Sequence, residues 1–72
     1  MNFSKALEAM KNGEAVAREH WLGKDIYVEI KTPDVQVDDL TEPYIRMTKG
    51  EKQFPIDLSC ESIMAEDWSI VN

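Results

Sequence analysis

The stretch AREHWLGKD, from Ala17 to Asp25, holds the only histidine of the chain, His20, one of its two tryptophans, Trp21, and the cations Arg18 and Lys24 on either flank of the indole. Gly23, beside Lys24, permits close approach of backbone to a bound molecule. An aromatic face with cations nearby suits a purine and a phosphate, because the base stacks on the ring while a guanidinium or ammonium holds the anion. Such stacking is worth on the order of 1–3 kcal/mol per base. The competing reading is that Trp21 folds back onto the protein's own sheet or packs at a subunit contact, where tryptophan is enriched. The spacing alone leaves both open.

Catalysis has no comparable cluster. Cys60 with His20 would be the one nucleophile–base pair available, but no second histidine and no glycine-rich elbow accompanies it. Cys60 is expected to be a half-buried structural thiol, as free cysteines usually behave as small hydrophobes. Acidic pairs such as Asp38-Asp39 and Glu66-Asp67 sit beside nothing that would raise a pKa for acid–base work. There is no GxxxxGK phosphate loop and no GxGxxG. One cysteine rules out an intrachain disulfide, and one histidine leaves a zinc site short of ligands. The sequence therefore predicts no enzyme, no metal and no cofactor.

The elements that must hold the Trp21 stretch are legible from periodicity. NFSKALEAMKNG reads as an amphipathic helix with Phe3, Ala6, Leu7 and Met10 on one stripe, capped by Asn2 or Ser4 and stopped at Asn12-Gly13. EAVAR is a short strand. DIYVEIK alternates, with Ile26, Val28 and Ile30 on one face and Tyr27, Glu29 and Lys31 on the other. TPDVQVDDLTEP is an acidic loop without a cation, in which Val35 and Val37 allow a short edge pairing. YIRMT, a KGEK hairpin turn and QFPIDLS follow as strand, turn and strand. Pro55 predicts an edge or a bulge for the second of these. SCESIMAED gives one helical turn with Ser59 as N-cap, and WSIVN a last strand in which Trp68 is a core residue. The expected fold is α+β, an N-terminal amphipathic helix packed on a small, mainly antiparallel β-sheet, with residues 1–72 as one domain.

Apolar residues make up 43% and charged residues 31% of the chain, which places it among globular domains and not disordered ones. At 72 residues and without staples, its core is near the lower limit for folding alone, so a homo-oligomer is expected. The net charge of −6 argues against nucleic acid as a partner. It also fits an acidic, DNA-mimicking inhibitor of a protein target, with Asp34 to Glu42 as the contact. A structural accessory domain with Trp21 as an interface anchor is a further rival. No apolar run is long enough for a membrane span or secretory signal, and the lone thiol fits a reduced, cytoplasmic setting.

The opening MNFSKALEAMKNGEAVAREHWLGKDIYV has the form N-F, short helix ending at glycine, V-A-R strand, then W-x-G-K and an aromatic-containing strand. The ending IMAEDWSIV gives a hydrophobic pair, alanine, an acidic pair, tryptophan and a short strand. Together they resemble the second type of Thoeris anti-defence family of small phage and prophage proteins, well over residues 1–30 and 54–72 and loosely between. The resemblance implies a non-enzymatic sponge that sequesters a cyclic ADP-ribose-derived immune signal, or a cyclic oligonucleotide, and assembles as a homotetramer. It implies that Trp21 contributes to the signal pocket with Arg18, Gly23 and Lys24 beside it, and that Ala65, Asp67 and Trp68 are mainly structural. Pockets are expected between protomers, with Trp21 on the adenine, Arg18 or Lys24 against the pyrophosphate, and Tyr27, Ser59 and Phe3 as further lining. Two departures bear on which ligand is held: Ser62 stands where many relatives are acidic, and Phe54 where many have tryptophan. The middle loop is also shorter than in several relatives.

Overall fold

The computed structural model describes residues 1–32 and 42–71, and the fold is α+β. Helix α1, Phe3–Lys11, starts where the Asn2 side chain accepts from the Lys5 N–H at 3.0 Å. It ends as expected at Gly13, whose φ of 91° is open to glycine at little cost. Ala6, Ala9 and Met10 are its buried residues. The small alanines bring the helix close to the sheet, and Met10 fills the space between.

Five strands form one antiparallel sheet in the order β4-β3-β2-β1-β5 among the described residues. They are β1 Ala15–Arg18, β2 Ile26–Lys31, β3 Tyr44–Lys49, β4 Lys52–Pro55 and β5 Trp68–Val71. Register places Val16 opposite Val28, Val28 opposite Met47, and Met47 opposite Phe54. Directly paired residues share a face, so this row lies against α1. With Ala6, Ala9, Met10 and Trp68 it makes the core, and Ile26, Ile30, Ile45, Ile56 and Leu58 pack around it.

Pro55 lies on an edge strand, where its missing N–H costs no ladder bond. The strand expected to run on through Leu58 stops at Pro55 instead. After one more bond, from the Ile56 N–H to the Ile45 carbonyl at 3.0 Å, the chain leaves the ladder and brings Ile56 and Leu58 over the core. The β3–β4 connection is a two-residue hairpin loop between Lys49 and Lys52, with Gly50 at φ 62° in its first position. The expected pairing of Val35 and Val37, and the acidic loop apart from Thr32, Glu42 and Pro43, lie outside the described residues.

Helix α2, Cys60–Met64, is a short turn capped by Ser59, whose Oγ accepts from the Ser62 N–H at 3.2 Å. Cys60 is exposed at its start, which corrects the expectation of a half-buried thiol. The first residue of so short a helix has no neighbouring layer to cover it. Among the described residues no helix is long and apolar enough to cross a membrane.

Candidate functional site: a recess beside Trp21

Arg18 ends β1 opposite Trp68. The chain then makes one 3-10 turn, Glu19–Trp21, and a further turn closed by the Lys24 N–H on the Trp21 carbonyl at 3.1 Å. Gly23 has φ 77°. Asp25 has φ 57° without being glycine, and its carbonyl accepts from the Gly50 N–H at 3.0 Å. An L-residue in this left-handed region is strained, and aspartate is among the few that tolerate it. These two turns lift the indole of Trp21 out of the strand path and set it on the end of the core.

Trp21 packs edge-on against Trp68, with ring centroids 5.4 Å apart and planes at 90°. Phe3 meets the same indole from the side of α1 at 5.6 Å, and His20 lies at 5.8 Å from Trp21. Trp68 is fixed in turn, because its indole N–H donates to the Ser62 carbonyl at 2.9 Å. The two sequence readings of Trp21 are therefore not exclusive. One part of the ring rests on the core, and the rest is left half-buried.

The free side of Trp21 lines a recess of about 210 Å³ with Leu22, Gly23, Asp25, Ile26, Tyr27 and Val71. Of the seven residues expected to bind ligand, the structure brings Trp21, Gly23 and Tyr27 together there. Lys24 is exposed on the same turn but is not part of the lining. Phe3 lies across Trp68 and faces two apolar recesses along α1. Ser59 is engaged as the α2 cap.

Arg18 is buried and committed to internal partners. Its Nε and one terminal nitrogen donate to the two carboxylate oxygens of Asp67 at 2.9 and 3.4 Å. The other terminal nitrogen donates to Ser62 Oγ at 3.4 Å and lies 3.6 Å from Glu61. The hydrogen bond from Arg18 holds the Asp67 carboxyl below the usual carboxylate range, and Asp67 raises the guanidinium further. Arg18 and Asp67 thus clamp the end of β1 to the start of β5, with α2 drawn in through Ser62.

Sequence reasoning missed Leu22, Asp25, Ile26 and Val71 as lining. Asp25 carried a local signal, following Gly23-Lys24 in a turn, but its left-handed φ has no signature in residue type. Val71 reaches the recess only through sheet pairing. No group of three or more His, Cys, Asp or Glu suited to a metal occurs among the described residues.

A helix on a five-stranded sheet, with an aromatic recess on the loop after β1, defines a small α+β domain. The chain belongs to the Thoeris anti-defense 2-like domain family, whose model matches residues 1–71. Among curated proteins it is similar to Thoeris anti-defense 2 of Bacillus phage SP01, with 31% identity over 86 aligned residues that take in all of this chain and 96% of that protein. Family membership supports an anti-Thoeris role and fits a non-catalytic one.

Proposed function

We propose that this chain is a sponge that binds a cyclic nucleotide signal of the glycocyclic ADP-ribose type and holds it away from its receptor without hydrolysing it. The observation that supports this most is the recess in which Trp21 and Tyr27 stand around Gly23 and Asp25. The Trp21 ring is seated on Trp68 before any ligand arrives, so stacking a base on it costs little ordering. Asp25 is an acceptor suited to ribose hydroxyls. Lys24, on the same turn, offsets pyrophosphate charge. Arg18, occupied by Asp67, acts as a positioning residue that holds the β5 end carrying Trp68, on which Trp21 rests, and Ser59 and Phe3 support Trp68 from α2 and α1. Assembly into a homotetramer with pockets between protomers belongs to the same reading.

Isothermal titration of the purified chain tests it, using a glycocyclic ADP-ribose, linear ADP-ribose and a set of cyclic di- and trinucleotides. Bound material is then released by heat and chromatographed. Tight binding of one cyclic species, recovered intact, is the expected result. Recovery of a cleaved product would make the protein an enzyme. Binding of nothing in the panel would overturn the sponge and point to a protein partner.

A further inference from the structure

The short helix α2 is patterned the wrong way round for its own packing. Its buried residue is the polar Ser62, while Ile63 and Met64 stand 43% and 79% exposed. Arg18 donates to the Ser62 Oγ, and the Ser62 N–H donates to the Ser59 cap, so the turn is held with Ser62 inward. A single exposed apolar residue needs no explanation, but a buried polar one beside two large exposed apolar ones does. Ile63 and Met64 also belong to a larger surface. Ile63, Phe3 and Leu7 line two apolar recesses in common, of about 640 and 630 Å³, so the two form one trough across the junction of α1 and α2. One half runs over Ile56 and Leu58 to Pro55, and the other ends at Met64. Each half has about three times the volume of the recess beside Trp21 and shares no residue with it. A space of this size takes a row of side chains.

The charges along the trough have one sign. Asp57 lines one half and Glu66 the other. Glu61 is exposed at the start of α2, and Glu42 is exposed next to Pro43, which also lines the first half. Among the described residues no lysine, arginine or histidine lines either half; Lys5 and Lys11 of α1 lie outside both.

We propose that this trough is the docking site for a basic, amphipathic α-helix of another protein. An apolar floor with acidic ends complements a helix whose apolar stripe is flanked by lysine or arginine. A helix suits the trough because it satisfies its own backbone. An extended peptide would need backbone partners from the walls, and Pro43 and Pro55 have no N–H to give. Met64 adds tolerance, since an unbranched thioether adapts to differently shaped anchors. A second copy of this chain is the poorer occupant. It brings a charge of −6 to an acidic surface, and its own α1 already buries Ala6, Ala9 and Met10 against its sheet. The docking surface stands apart from the nucleotide reading of the Trp21 recess and does not rest on it.

Fluorescence anisotropy of the full chain tests the docking site. The probe is a fluorescein-labelled peptide of leucine and lysine, with leucines at i, i+3, i+4 and i+7. The wild type should bind it, more weakly as salt rises. The same pattern with glutamate for lysine, and the same composition with the leucines scattered, should both bind poorly. Ile63→Ser combined with Met64→Ser should weaken binding about tenfold. Asp57→Asn combined with Glu66→Gln should weaken it about threefold and flatten the salt dependence. Ile70→Ser removes a side chain as exposed as Ile63, on β5, and should change nothing. No binding by the wild type, equal binding of either control peptide, or an equal loss in Ile70→Ser overturns the proposal. Sedimentation equilibrium without peptide completes the test. The Ile63→Ser, Met64→Ser chain should keep the mass of the wild type, and a lower mass would show that a second copy covers the trough and overturn the proposal.

Discussion

At the residue scale, Trp21, Asp25 and Asp67 make separable contributions. Trp21→Ala removes the stacking surface, and nucleotide affinity should fall by roughly 5–150-fold, the equivalent of about 1–3 kcal/mol. Titration calorimetry beside the wild type checks this, and unchanged affinity would remove Trp21 from the site. Asp25→Asn retains a residue that tolerates the left-handed backbone but gives up the charge. Its melting temperature should stay close to that of the wild type while affinity drops about tenfold, as expected for a lost bond to a charged acceptor. Asp67 has a titration to lose. Its carboxyl is depressed in the folded state by the Arg18 hydrogen bond, so its stabilisation is complete above its unfolded value, about 3.9, and disappears as pH falls through the lower folded value. Wild type should therefore lose more stability than Asp67→Asn on acidification below about pH 5, measured by thermal melts across the series.

At the element scale, α2 is five residues long, too short to be stable alone. It depends on the Ser59 cap, on Arg18 and on Trp68. Ser59→Ala should cost about 1 kcal/mol, or roughly 4–8 °C in melting temperature. The near-ultraviolet circular dichroism of Trp68 should change with it, because the Ser62 carbonyl that receives the indole N–H sits in that turn. Local elements of this kind were legible in the sequence. Asn2, Gly13, Ser59 and Pro55 act on residues within a turn or along one strand, and their placements followed from spacing. Arg18 was not legible in the same way. Its cation next to a tryptophan reads as a free charge until Asp67, 49 residues away, is folded against it. Within the recess the same division holds: Trp21, Gly23 and Tyr27 belong to one continuous stretch, whereas Val71 arrives by pairing of β5 with β1.

At the scale of the whole molecule, a small core supplies little stability of its own, so any ligand that binds adds a large fraction of the total. Ligand at a hundred times its dissociation constant adds about 2.7 kcal/mol, which for a domain of this size should raise the melting temperature by roughly 10–20 °C. A thermal shift screen with the nucleotide panel should show that rise for one cyclic species and little for linear ADP-ribose. The edge-on contact of Trp21 with Trp68 has a further consequence. These are the only two indoles in the chain, and their rings touch. Excitation energy taken up by one is shared with the other, so the protein's whole tryptophan emission originates at the recess wall and at the buried indole directly behind it. Occupancy can be followed by intrinsic fluorescence, without a dye, and the single-indole variants Trp21→Phe and Trp68→Phe would apportion the signal between platform and support.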